Sequence, residues 1–399
     1  MLSIWYKRYS SQPHQPFFTS GMVLLIIFLF LLGAKQLNII NLNVSIFKLH
    51  AYPMIHIVFV QFFLGFLFVV FPKFLMQASV DIKAYMSRYF LYLSGSITYI
   101  SSLFISTNLT KVALIILLIA NITSFQTLFK IYKKSVVTDK RDTSWILIAF
   151  AFGILSNLVF FISSFSFSFA FLLQKFSINL GFYLFIFALI FTVSQRMIPF
   201  FTTGKVPGYK INKSKYLLEI SSILLGLKTI SSTLNYPLFS AVVNFALFAF
   251  FAYELLRWRL PILKTTAIMW ILYLALLWIP IGFFISFVES ISDILSVGFF
   301  FEQSPLHIIA IGYFVTILIG FGTRVTLGHS GRVPTADKIT IAIFWSVQLV
   351  VLVRFFSGVS SNFGLNYYPL IASSAFLLVL VLLVWVFKYL PILIRLQES

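Results

Sequence analysis

The sequence contains no cysteine, and charged residues occupy only 10% of its 399 positions. The first absence excludes disulfide bonds, thiolate-ligated haem or zinc, iron–sulfur clusters and a cysteine nucleophile. The second excludes an ordinary water-soluble surface, because soluble domains carry roughly a quarter of their residues as charges. No Walker A loop, HExxH motif or dinucleotide fingerprint is present either, which removes the common nucleotide-binding and metalloprotease classes.

What the chain has instead is hydrophobic sequence, 60% of all residues, including 50 phenylalanines. Each bilayer crossing needs about 20 apolar residues. The apolar runs are too long and too uniform for barrel strands, and backbone polar groups in lipid must be satisfied within the segment, so the runs are predicted to be helices. We expect an all-α polytopic membrane bundle of about twelve transmembrane helices, with residues 1–399 forming a single transmembrane domain. The predicted spans are 17–34, 54–75, 89–106, 111–129, 144–164, 177–200, 216–233, 236–256, 266–288, 305–326, 338–357 and 369–388.

Basic residues alternate along the connections between these spans. The N-terminal arm and the even-numbered connections carry most of the lysines and arginines, whereas the odd-numbered connections are poor in them and the ninth carries Glu289, Asp293 and Glu302. By the positive-inside rule both termini are cytoplasmic. This distribution accounts for the net charge of +19 without a nucleic-acid partner, and it makes the lipid bilayer the expected surroundings.

The five histidines fall into two groups by predicted depth. His50, His307 and His56 lie toward the outer ends of their spans, whereas His14 and His329 lie on the cytoplasmic side. His307 and His329 are 22 residues apart, which is about 33 Å along a helix, so they cannot share one metal. Neutral imidazole is a common metal ligand and axial haem ligand, although a lone histidine at a membrane boundary is often only an interfacial polar residue.

Arginines give a second signal on the cytoplasmic side. Arg196 and Arg324 lie near the ends of the sixth and tenth spans, where a charge either faces an anionic partner or extends to the headgroups. With Arg332 they predict an anion site, for instance for haem propionates. The glycines expected to permit close backbone approach there are Gly320, Gly322, Gly328 and Gly331.

Two other functional classes were weighed on the same residues. A secondary transporter of a small anionic substrate fits the span count, and Arg196 would bind the anion. A respiratory oxidase or nitric oxide reductase subunit needs around six metal-binding histidines, including an adjacent pair, and this chain has neither. The transporter therefore stays open as the alternative function.

Three segments together resemble the NnrS family of bacterial membrane proteins. The segment from His307 to Arg332, with its LGHSGR ending, is similar to the family pattern H-x4-G-x7-G-x3-R-x2-LGH-[ST]-GR at every specified position. The segment from His50 to Pro72 resembles HA-x2-M-x10-GFL-x4-P, and the run RMIPF from Arg196 resembles R-[VM]-IP-x-F. The opening PFF at Pro16 also matches, so the resemblance runs from about residue 12 to residue 335.

The resemblance implies a haem- and copper-containing protein of the bacterial inner membrane, linked to nitric oxide metabolism or to resistance against nitric oxide stress. Its preferred cofactor ligands would be His50, His307 and His329, with His14 near an inner site. The supporting residues would be Arg196, Arg324 and Arg332. Haem would be b-type, copper would be an additional metal, and a redox partner would be expected.

One departure bears on copper. Where many members of the family read HAHE, this chain reads His50-Ala51-Tyr52-Pro53, so one histidine and one carboxylate are absent. His56 is the only nearby histidine that could take the place of the missing ligand. Haem tolerates the change better, because one axial histidine per helix is enough.

Overall fold

The computed structural model describes residues 2–394, and all of its regular structure is helical. A short helix, Leu2–Tyr9, precedes twelve long helices in this part of the chain. They are α1 (His14–Gln36), α2 (Phe47–Phe74), α3 (Ile82–Ile105), α4 (Thr107–Lys134), α5 (Arg141–Ile162), α6 (Ala170–Thr203), α7 (Leu217–Leu234), α8 (Pro237–Trp258), α9 (Ala267–Ile294), α10 (Ser304–His329), α11 (Lys338–Phe363) and α12 (Tyr367–Ile394).

Eleven of these helices are long and apolar enough to cross a bilayer, and the remaining one, α3, has 24 residues with many tyrosines and serines. The prediction of an all-helical, polytopic membrane protein is therefore confirmed. The tight connection between α7 and α8 is also present. Asn235 closes α7 in the left-handed conformation, with φ of 56°, and Pro237 opens α8 at a position where its missing N–H has no cost.

Three helices, α2, α3 and α6, begin seven residues before their predicted spans, and at α2 this difference includes a candidate ligand. The helix begins at Phe47 and not at residue 54, so His50 lies inside it. Pro53 lies inside this helix, although proline has no N–H to donate to the regular hydrogen-bond ladder. Instead the backbone is π-helical on both sides of it, over Phe47–Ala51 and Met54–Phe59, and the helix continues through the proline.

Two further helices contain π-helical turns. Gly181–Phe187 lies within α6, and Ile308–Val315 lies within α10, directly after His307. Such turns are rare and are frequently found at functional sites. Here they occur in the three helices that carry the histidine and arginine motifs.

The chain forms two compact units, residues 1–193 with 390–399 and residues 194–389. In the first, α1 packs on α2, and α3 packs on α4; in the second, α8 and α10 both pack on α9. The most apolar stretches of α2 and α10 are each 83% buried, against 39% for α8. The histidine motifs therefore lie on interior helices.

Candidate functional site

His307 lies in the first turn of α10, where its Nδ1 has two polar neighbours. The carbonyl oxygen of Gln303 is 2.9 Å away, and Nη2 of Arg354 is 3.3 Å away. A carbonyl only accepts and a guanidinium only donates, so Nδ1 can satisfy one of them at a time. The carbonyl is closer, and Nη2 also donates to the carbonyl oxygen of Glu302 at 3.2 Å. We therefore assign the proton to Nδ1, and this tautomer leaves on Nε2 the lone pair with which histidine binds iron.

Arg354 was missed in the sequence, although the signal was there: one arginine in the apolar run VVLVRFF. Its residue surface is only 7% exposed. The space around it depends on Gly358, because a Cβ there would lie 1.7 Å from Oγ of Ser304 and 3.0 Å from Nη1 of Arg354. The start of α10 is thus packed closely against the end of α11, and it brings the guanidinium to the histidine.

His56 of α2 has a different environment. It is fully buried, and its Nε2 lies 2.9 Å from Oγ of Ser156. The hydroxyl of Ser156 donates to the carbonyl oxygen of Ser177, also at 2.9 Å, so Ser156 accepts the proton of Nε2. The ring stacks with Phe185 at 5.9 Å between centroids and makes a tilted contact with Tyr52 at 4.8 Å. We interpret His56 as a neutral packing residue, because a buried charge without a charged partner would be costly.

Tyr52 stands where the HAHE pattern has its second histidine. Its hydroxyl donates to Oδ1 of Asn157 at 2.9 Å, and its ring stacks on Phe160 and Tyr99 at 4.4 and 5.3 Å. The side chain is completely buried. Through Tyr52, α2 therefore packs against α3 and α5. His50, two residues earlier in α2, is partly exposed.

The inner residues lie at the other ends of their helices. His14 is the first residue of α1 and is buried, and a Cβ on Gly65 would lie 3.2 Å from its Cα and 2.9 Å from Cβ of Phe17. The PFF segment of α1 thus packs directly on the GFL segment of α2. His329 ends α10, and Arg332 is exposed just beyond it.

The structure places the predicted histidines in both units. His14, His50 and His56 belong to the first unit, whereas His307 and His329 belong to the second. The pairing of His50 with His307, and that of His14 with His329, stay predictions.

Most of the motif glycines of α10 serve helix packing. A Cβ on Gly312 would lie 2.5 Å from Cγ of Trp278, and one on Gly320 would lie 2.6 Å from Cδ2 of Leu272, so these glycines let α10 lie against α9. A Cβ on Gly322 would likewise lie 2.9 Å from Cζ2 of Trp385. Of the four glycines expected to approach an anion, only Gly328, with open space around it, and Gly331, with φ of 72°, are left for that role.

The three arginines of the predicted anion site all lie in the second unit. Arg196 is partly buried in α6, and Arg332 is exposed. Arg324 stacks on the ring of Phe201, with 3.8 Å between its guanidinium carbon and the ring centroid. Each of the three arginines is thus at least partly exposed.

The donor set can be compared with the two cofactors that the resemblance implies. Within residues 2–394, no three histidine, aspartate or glutamate side chains come together in a group that could hold a metal ion. Protein copper sites usually combine several nitrogen and sulfur ligands, so copper does not fit this arrangement. Haem iron needs as few as one histidine, and the tautomer assigned to His307 is compatible with that requirement.

Comparison with known proteins identifies a matching family. A search of curated proteins finds no similar sequence. The family model described as NnrS protein matches residues 8–396, which is nearly the whole chain. This extent includes every histidine and arginine of the candidate site. The chain therefore belongs to the NnrS family.

Proposed function

We propose that this protein is a haem-binding protein of the bacterial inner membrane that acts in nitric oxide metabolism or in resistance to nitric oxide stress. His307 would be the haem ligand of the second unit, and His50 would be the outer candidate ligand of the first. On the inner side the candidates would be His14 in the first unit and His329, with Arg196 and Arg332, in the second. Membership of the NnrS family supports the proposal. The observation that carries it is the hydrogen bond from Nδ1 of His307 to Gln303, which orients the ring for ligation.

Haem, when bound, supplies an iron that takes up nitric oxide or passes an electron to a redox partner. The chain would hold that iron through Nε2 of His307. The carbonyl of Gln303 keeps the tautomer, and a metal-ligating histidine is commonly held in this way by its second nitrogen. The buried guanidinium of Arg354 adds a fixed positive charge beside the same ring, which favours the reduced form of a bound metal. No step is assigned to copper, since the ligand set does not fit it.

The test is a visible spectrum of the purified protein, recorded oxidised and reduced, with and without nitric oxide, together with metal analysis. A Soret band corresponding to one or two haems per chain is expected. A shift with nitric oxide identifies a site with an open or displaceable ligand, and an unchanged spectrum identifies a closed bis-histidine carrier. A colourless protein after expression with ample haem would overturn the proposal and favour the anion transporter.

A further inference from the structure

A cleft of about 420 Å³ lies in the second unit, where the end of α6 meets α10. Its lining combines aromatic rings with two cations: Phe200, Phe201, Thr203, Gly204, Lys205 and Arg324. Phe200 is 69% exposed, although it is a large apolar side chain. The cleft is therefore an apolar surface with positive charge at its margin.

The guanidinium of Arg324 lacks an oxygen partner in residues 2–394. It stacks on Phe201 at 3.8 Å, and its one hydrogen bond runs from Nη1 to Sδ of Met269 at 3.8 Å. A thioether sulfur is a weak acceptor, so most N–H groups of the guanidinium can still donate to a ligand. The ammonium of Lys205 likewise makes no hydrogen bond or ion pair with the described residues. The cleft is thus lined by two cations, and its described lining residues include no carboxylate.

The position of the cleft indicates which anion it takes. Arg324 precedes the end of α10 at His329 by five residues, about 7.5 Å along the helix, and Lys205 follows the end of α6 at Thr203 by two residues. Both cations are thus near helix ends, on the side where the basic connections lie. In a bilayer this is the level of the headgroups, and anionic lipids attract basic segments there. An exposed phenyl ring beside the cations is suited to acyl chains.

We propose that this cleft binds the phosphate of an anionic phospholipid, held by Arg324 and Lys205, with Phe200 and Phe201 against the glycerol and upper acyl chains. The assignment is independent of haem binding. It gives Arg324 a lipid partner in place of the haem propionate that the family resemblance implies.

Native mass spectrometry of the detergent-purified protein tests the site. The protein is titrated with phosphatidylglycerol, phosphatidylcholine of the same acyl chains, and inorganic phosphate. We expect phosphatidylglycerol adducts to exceed phosphatidylcholine adducts about fivefold. Arg324→Gln removes this preference, Lys205→Gln reduces it about threefold, and Arg324→Lys keeps most of it. Lys210→Gln is the matched control, because it removes a cation from the same basic connection outside the cleft.

Equal binding of the two lipids by the unchanged protein overturns the proposal. So does an equal loss in Lys210→Gln and Lys205→Gln, which would indicate diffuse charge and no defined cleft. Displacement of the lipid by millimolar phosphate would assign the site to free phosphate. Haem loss in Arg324→Gln with unchanged lipid preference would return Arg324 to a haem carboxylate. Since lipid binding is read by mass, it is measured whether or not the protein carries haem.

Discussion

Helices α2 and α10 place histidines in similar backbone but give them different surroundings. His56 lies within the π-helical turns of α2, and His307 directly precedes those of α10. His56 is fully enclosed, and its Nε2 donates to a serine on α5. His307 is partly exposed, and its Nδ1 is assigned as the donor to the carbonyl of Gln303, the residue just before its helix. The hydrogen-bond partner therefore decides which ring nitrogen carries the lone pair, and with it whether the residue serves packing or ligation.

The two helices also differ in the residues that occupy their motif positions. In α10 the histidine is retained and glycines allow α9 to pack closely. In α2 Tyr52 stands where the HAHE pattern has its second histidine, and its ring and hydroxyl are packed in the interior.

The largest expected effect contrasts the two histidines directly. His307→Ala should abolish most haem binding, because it removes the proposed axial ligand. His56→Gln should leave the haem content unchanged, since glutamine retains a donor for Ser156. Haem per chain, measured as the pyridine haemochrome, reports both. If His56→Gln lost as much haem as His307→Ala, the distinction between the two residues would be wrong.

The next effect concerns the glycines of α10. Gly312→Ala should destabilise the protein by about 3 kcal/mol, because the new methyl group overlaps Trp278 and overpacking typically costs about 1–3 kcal/mol. Gly328→Ala is the matched control, with nothing within 4 Å of its Cβ, and its stability should stay the same or rise slightly. Thermal unfolding in detergent measures both. Equal midpoints for the two variants would contradict the packing role.

A smaller effect tests the packing role of His56. Ser156→Ala should cost about 2 kcal/mol, because the buried Nε2–H of His56 loses its acceptor. Ser177→Ala should cost about 1 kcal/mol, since it removes only the bond from Ser177 to the carbonyl of Ser156. The same unfolding assay compares them. A neutral Ser156→Ala variant would show that the hydrogen bond to His56 contributes nothing.

The smallest effect lies outside both histidine helices, at the beginning of α11. Asp337 accepts a hydrogen bond from the backbone N–H of Thr340, which caps the helix, and it pairs with Lys388. These contacts lower the pKa of Asp337 from 3.8 to about 2, and the hydrogen bond from Lys388 has the largest effect. Because the pKa of Asp337 is lower in the folded than in the unfolded chain, its ionised form stabilises the fold. This stabilisation is fully present above the pKa of the unfolded chain and is lost as the pH falls through about 2. Because the pair is exposed, the effect should be small. Asp337→Asn should remove this part of the acid dependence in a pH series of unfolding midpoints, and an unchanged series would disprove it.

Several features were predictable because they depend on local composition. The membrane class, the helical fold and the short turn at Asn235 follow from apolar runs, charge distribution and turn residues. The separation of His307 from His329 follows from helix rise alone, and the structure places them near the two ends of α10. The start of α2 was wrong because π-helical backbone around Pro53 has no composition signal.

The sequence by itself determined that the chain crosses a membrane many times, that it can form no thiolate site, and which histidines and arginines were candidates. Only the tertiary structure decided what those residues do. The acceptor of His56 is 100 positions away in the chain, and Arg354 is 47 positions from His307. Such contacts depend on which helices pack together, and hydrophobic periodicity does not specify this, because a lipid-facing and a protein-facing helix surface are both apolar.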